Sequence, residues 1–434
     1  MSGAKGTRFH RSGASFARWS CLCGLYWLLQ TAFAPAFAAD AAIAVAARIE
    51  ETGAFTRLSF DLSRSVEPSA FVLNDPQRVV IDLPEINFAI DPPASNRNPS
   101  AAKSASGSLI KTYRFGLLGK GRSRIVIDLN RPAKIVRAES ARIGQGESAR
   151  LIIELAASDI AAFQQAALAG AHSQPQQQTT PEPQVSREEA IDIKPMVVID
   201  PGHGGLDAGA TGSSGGIEKT IVFDFAKTLA GKLEASGKYR VILTRNDDHF
   251  VALGDRVQLA RDNHAALFIS IHADTLAATQ KVTGATIYTL AEKASDAESA
   301  RIADKENQVD ALAGIVPSAD VGGINDILYD LTRRETRAYS HLFARTLVGV
   351  WQSAGRLNKN PLRAAGFRVL RAPDVPSVLV ELGYLSSERD TSELISAQWR
   401  DKTADMLSQS IGQFFAARLN EGPNGEVVPN VANK

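Results

Sequence analysis

Met196-Val197-Val198-Ile199-Asp200-Pro201-Gly202-His203-Gly204-Gly205 reads as a short buried strand broken by a glycine-rich turn that carries one histidine. Its apolar run does not alternate with polar residues, as expected of a strand covered on both faces in an α/β sheet. Reading outward, Thr220–Ala235 sets Ile221, Phe225, Leu229 and Leu233 on one side of an amphipathic helix. Further short apolar runs follow at Val241–Thr244, Leu267–Ile271, Ala285–Leu290 and Val378–Val380. Strands alternating with longer helical patterns predict an α/β domain over 195–420, with a mixed, largely parallel central sheet flanked by helices.

Ligands of open α/β sheets gather beyond the carboxyl ends of the strands. Three of these runs end on reactive side chains: the first leads to His203, Leu267–Ile271 to His272, and Val378–Val380 to Glu381. Glu218 stands at the entrance of the Thr220 helix. Two histidines and a carboxylate form a catalytic zinc set with one position open for water. The glycines around His203 permit a turn tight enough to bring its ring back over the sheet edge. Taken singly, each has a plainer reading as a hydrogen-bonded loop histidine or a helix N-terminal acid; their coincidence at equivalent strand ends favours a site. His172, His249, His264 and His341 fall in linker, turn or helix patterns and read as structural or solvated.

Upstream of 195 the texture differs. Residues 41–156 carry strand-like runs at Leu58–Leu62, Arg78–Leu83, Arg124–Leu129 and Arg150–Leu155, with turn signals at Asn74-Asp75-Pro76 and Gly116–Gly121, and predict a β-sandwich-like domain. Residues 157–194, with their Gln- and Pro-rich core at 174–184, predict a disordered linker, and 421–434 a C-terminal tail. The first 38 residues hold Lys5, Arg8, Arg11 and Arg18, then the apolar run Trp19–Leu29 and Ala36-Phe37-Ala38, the pattern of a cleaved secretory signal peptide. Eleven apolar residues are too few to span a bilayer, so no transmembrane segment is expected after cleavage.

The 434 residues sum to a net charge of +1 (48 basic, 47 acidic), and without the leader's four basic residues the balance is 44 against 47. A mildly acidic chain excludes nucleic acid as the main partner. Both cysteines, Cys21 and Cys23, lie in the leader, so a metal site in the exported chain must use histidine and carboxylate.

The ordered blocks Val198–Ala210, Glu218-Lys219, Ser270-Ile271-His272-Ala273-Asp274 and Val380-Glu381-Leu382-Gly383-Tyr384 closely resemble the zinc-dependent N-acetylmuramoyl-L-alanine amidases of the cell-division type. The resemblance implies one zinc ion bound by His203, Glu218 and His272, with Glu381 as catalytic acid/base. It further implies cleavage of peptidoglycan between the lactyl group of N-acetylmuramic acid and L-alanine, in the periplasm of a Gram-negative bacterium. Thr56-Arg57-Leu58 and Asn74–Leu83 resemble the AMIN domain that precedes such amidases, which implies a targeting role for 41–156.

The polar stretch 291–333, with a helical start at Ala294–Asp310, is too long for an idle loop in a compact domain. By the same resemblance it is a regulatory segment whose Glu306 blocks the zinc, awaiting a LytM-like periplasmic activator that docks on Ile324, Ile327 and Leu328. The plainer reading is a solvated acidic helix. Two other functions compete: a zinc peptidase acting on the stem peptide, and a non-catalytic wall-binding scaffold.

Overall fold

The computed structural model describes residues 41–53, 55–90, 108–144, 146–171, 194–212, 215–276, 282–315, 327–352 and 355–420. The leader 1–38, most of the linker, the tail 421–434 and Ile324 lie outside the described residues, as do the side chains of Ile327 and Leu328. From Ala42 onward the chain forms one compact unit.

The N-terminal strands are β1 (Ala42–Thr52), β2 (Phe55–Leu62), β3 (Ser69–Leu73), β4 (Arg78–Pro84), β5 (Ile86–Phe88), β6 (Ile110–Gly119), β7 (Arg122–Leu129), β8 (Ala133–Arg142) and β9 (Ala149–Ala157). They form two sheets, β5-β1-β2-β9-β8 and β3-β4-β7-β6. Alternation sends Leu58, Phe60, Val79, Ile81, Ile125, Ile127, Leu151 and Ile153 into one shared core, which makes this a sandwich. Two expectations need correction. Gly116 to Gly119 continue β6, so only the end of the Gly116–Gly121 stretch turns. The linker also begins as a helix, α1 (Ile160–Ala171), because Phe163 and Ala167 pack on the sandwich core.

The second domain contains β10 (Met196–Pro201), α2 (Glu218–Ala235), β11 (Arg240–Leu243), α3 (Leu253–Asp262), β12 (Leu267–His272), β13 (Ala285–Leu290), α4 (Ala297–Glu306), α5 (Val309–Leu312), α6 (Ile327–Gln352), β14 (Leu357–Ala365), β15 (Ser377–Glu381), α7 (Glu388–Leu394) and α8 (Ala397–Asn420). Its sheet runs β11-β10-β12-β15-β13-β14. The first four strands are parallel; β13 runs antiparallel to β15 and parallel to β14. Strand alternation feeds two cores. Val197, Ile199, Ile269 and Val380 meet α2, α6 and α8 on one face. Val198, Phe268 and Leu379 meet α3 and α4 on the other. Because β10, β12 and β15 are parallel neighbours, their carboxyl ends open side by side, with His272 paired directly to Glu381. Among the described residues no helix is long and apolar enough to cross a membrane.

Candidate active site

The turn after β10 holds His203 in a left-handed conformation at φ 61°, followed by Gly204 and Gly205, also at positive φ. Such strain persists only where the surroundings over-determine it. Two buried arginines supply that restraint. Arg256 Nη2 donates to the His203 carbonyl (2.9 Å), and Arg245 Nη2 donates to the Gly202 carbonyl (3.1 Å). Arg256 is itself paired with the buried Asp200 at 2.7 Å, which also accepts from Thr244 and Ser270. Gly202 is required for a different reason: a Cβ there would lie 2.4 Å from Cε1 of His272.

Glu218 opens α2 fully buried, and two backbone N–H groups orient its carboxylate: Ala210 to Oε2 (2.7 Å) and Ala273 to Oε1 (2.9 Å). Its Oε1 lies 3.0 Å from His203 Nε2 and 3.3 Å from His272 Nδ1. Glu306, from the last turn of α4, brings Oε2 to 3.8 Å and 3.6 Å of the same two nitrogens. A tetrahedral ion bound at about 2.0–2.1 Å holds its ligand atoms about 3.3–3.4 Å apart. The four side chains therefore have the spacing of one coordination sphere. His203 Nε2 and Glu306 Oε1 are buried without a hydrogen-bond partner, a state that a shared cation would relieve. Among the described residues His203, His272 and Glu306 bring ligand atoms within 4.8 Å of one another and could hold a metal ion.

The electrostatics favour a cation at this point. Burial alone would lower the His203 pKa, yet the charges of Glu218, Asp207 and Glu306 raise it well above its ordinary value. Asp207 Oδ2 contacts His203 Nδ1 at 2.8 Å, leaving Nε2 to face the centre. Burial works to raise the Asp207 pKa, and the His203 ring overrides it to bring the value to about 2. A carboxylate behind a metal-facing imidazole fixes its tautomer and orientation.

Glu381, fully buried at the end of β15, accepts the Asp274 N–H at Oε2 (3.0 Å) and keeps Oε1 free of any hydrogen bond. Burial first, then the nearby charges of Asp274 and Glu218, push its pKa well above the usual carboxylate value. Such a group is poised to hold and release a proton. Lys305, next to Glu306 on α4, pairs with the buried Asp274. Asn307 fastens the helix end, donating to the Gly366 carbonyl at 2.9 Å and accepting the Arg368 N–H at 2.7 Å.

Of the residues singled out from the sequence, His203, Glu218, His272 and Glu306 thus converge, with their facing atoms 3.0–3.8 Å apart, and Glu381 stands opposite His272 on the neighbouring strand. Sequence reasoning missed Asp207, whose position four residues after His203 in a glycine-rich turn was the available signal. It also missed Asp274 and Lys305, which carry no local signal. Of the histidines set aside, His249 sits beside Asp247, and His341 is partly buried near Arg337 and Arg345, which with burial lower its pKa.

Comparison with known proteins places this geometry. Residues 197–413 match the family N-acetylmuramoyl-L-alanine amidase, and residues 46–155 match the AMIN domain. N-acetylmuramoyl-L-alanine amidase AmiC of Escherichia coli O6:H1 is 29% identical over 404 residues, spanning 91% of this chain and 94% of the relative. AmiC of Neisseria meningitidis serogroup B is 30% identical over 382 residues, spanning 85% and 89%. AmiA of Escherichia coli K12 is 34% identical over 223 residues, spanning 51% and 76%. With one family covering half of the chain and such relatives covering most of it, the chain belongs to the N-acetylmuramoyl-L-alanine amidases.

Proposed function

We propose that this amidase is a periplasmic zinc enzyme that separates the peptide stem from the glycan strand of peptidoglycan, and that α4 keeps it silent until a division-linked activator withdraws it. The observation that carries the reading is the convergence of His203, Glu218, His272 and Glu306 on one point, with Glu381 beside it. Zinc held by the first three supplies Lewis acidity toward a carbonyl and a nucleophile at neutral pH. Asp207 holds His203 in the ligating orientation. Glu381 accepts the proton of the attacking water through its free Oε1, then delivers it to the amine nitrogen as the bond to L-alanine breaks. Without that delivery the amine is a poor leaving group. Glu306 fills the position that water and substrate need, so the locked state excludes both. The basic-then-apolar N-terminal stretch, read as an export signal, and relatives from Gram-negative bacteria support the periplasmic location. The AMIN domain fits a targeting role toward the wall.

The test is incubation of purified sacculi with the native chain and with Glu306→Ala, with and without chelator, followed by mass identification of released species. Glu306→Ala is expected to release stem peptides that start at L-alanine, to stop on chelation and to recover with zinc. Fragments cut within the stem would replace the amidase reading by a stem peptidase. No release in any arm would leave a scaffold.

A further inference from the structure

We infer that the N-terminal domain is the clamp of this lock: the outer face of its four-stranded sheet grips the carbonyl end of α5, the turn that follows Glu306. The inference rests on the reading of Glu306 as the blocking residue and adds what holds it in place.

The face is built by register. Arg78 opposes Asp128, Val80 opposes Val126 and Asp82 opposes Arg124 across β4 and β7, so two ion-paired ends flank an apolar middle. Each arginine spends part of its guanidinium on a carboxylate of its own domain and turns another N–H outward. Arg78 Nη1 donates to the Ala311 carbonyl, Arg114 Nε to Leu312 (2.8 Å), and Arg124 Nη1 to Ala313 (3.0 Å) and Gly314 (3.2 Å). These four carbonyls close α5 and the turn that follows it, where acceptors run short of backbone donors; Ala311 already accepts the Gly314 N–H at 3.0 Å and takes the arginine as a second donor. Here another domain's cations cap them. Val80, fully buried yet absent from the sandwich core, packs against Gly314; a Cβ at 314 would lie 2.9 Å from Val80 Cγ2. Leu118 of β6 joins Ala313, Ile315, Leu206 and Phe250 in a small separate core, and Phe250 donates its N–H to the Leu117 carbonyl at 3.0 Å. The sandwich thus touches both the catalytic domain and the segment that must move, with only two residues between the end of α4 and the start of α5.

A clamp of this kind couples two sites reciprocally: drawing the sheet away weakens the block, and withdrawing the helix frees the sheet. Two substitutions test it in the zinc-loaded chain acting on sacculi. Arg114→Ala removes one donor while Asp128 keeps Arg78. Val80→Asp sets a carboxylate against the four carbonyls without touching the sandwich core. Each is expected to raise the basal rate roughly tenfold, the effect of losing one charged hydrogen bond, and to speed amide exchange over 309–315. Val80→Cys with Gly314→Cys supplies a reversible arm, since the 2.9 Å approach matches the reach from one Cβ to the far sulfur of a disulfide. With Arg114→Ala added, oxidation should return the rate to the native baseline and reduction should release it again, whatever strain the cysteines introduce in both states. Unchanged rate and exchange in both folded single variants, or a rate indifferent to cross-linking, overturns the clamp. Glu306→Ala separates the two ideas. If it raises the rate while the clamp variants do not, the clamp alone fails; if it leaves the baseline unmoved, the blocking reading fails and exchange over 309–315 still decides the clamp.

Discussion

Glu381→Gln, made in a Glu306→Ala background so that the site is open, separates the chemistry of the carboxylate from its structural place. The side chain is fully buried, its Oε2 accepts the Asp274 N–H at 3.0 Å, and no metal-facing nitrogen contacts it. An amide keeps the shape and the acceptor, so bound zinc should stay at one per chain by elemental analysis. Proton transfer is lost, and a positioned general base is worth about 10²–10⁴-fold, or about 2.7–5.5 kcal/mol of barrier. Stem-peptide release should fall by that factor with little change in sacculus binding. The same substitution should stabilise the chelated protein as pH rises. Burial and the neighbouring carboxylates raise the folded-state pKa of Glu381 above its ordinary 4.5, so its contribution is complete below that value and is lost as pH climbs through the raised one. Glutamine removes the titration, and melting curves from about pH 4 to pH 8 should decline less in the variant. Residual turnover within about tenfold of the parent at full zinc occupancy would refute the acid–base role, since a general base accounts for more than that; loss of the metal would refute its separation from the ligand set.

Asp207→Asn should weaken zinc binding about 10–100-fold in a chelator competition, because it removes the partner that orients His203 at 2.8 Å; unchanged affinity would deny it that role. Asp200→Asn should cost about 3–5 kcal/mol in denaturant unfolding, since it strips a buried Arg256 of its counter-charge, and a cost below about 1 kcal/mol, the range of an exposed pair, would mean the pair is dispensable. Lys305→Met should raise basal turnover, because Asp274 then faces Glu306 with no cation between them; an unaltered rate would show that this pair does not hold the helix.

The convergence of the candidate residues was legible because three of them follow largely apolar runs, and parallel packing brings such ends together. His203, His272 and Glu381 follow from that rule, and Glu218 from its place at the entrance of the Thr220 helix, whereas Glu306 needed the resemblance to known amidases to stand out from ordinary helix acids. The edge strand Leu357–Ala365 was not legible: Leu-Asn-Lys-Asn-Pro-Leu-Arg has no apolar run, and its proline falls where the register to β13 shifts on an edge strand, a place that tolerates it. The reversal at β13 was hidden as well, since direction leaves no trace in composition. Helix α1 was obscured by the Gln- and Pro-rich residues that follow it, although Phe163 in its first turn signals a packed face. The arginines at 78, 114 and 124 read as ordinary cross-strand partners, because only the folded chain brings a helix end from about 190 to 230 residues away against them.

On the proposed reading, the lock is an acid–base pair delivered on consecutive residues. Glu306 approaches the metal-facing histidines while Lys305 neutralises Asp274, so inserting or withdrawing α4 leaves the net charge of the pocket unchanged. With no ion bound, a lone glutamate entering a pocket that already holds Glu218 and Asp274 would be repelled, and Lys305 offsets that charge. Balanced charge leaves the equilibrium to local contacts: the metal position, the Lys305 pair, the Asn307 bonds and the arginine clamp. Shifting a two-state element from 1:99 to 99:1 takes about 5.5 kcal/mol, and charge-assisted hydrogen bonds are worth about 1.5–3 kcal/mol each. On that reading an activator has only to break a few of these contacts, and those on the sandwich face are made to the carbonyls at 311–314 rather than to the site residues. Release can then begin there without any partner entering the catalytic pocket itself.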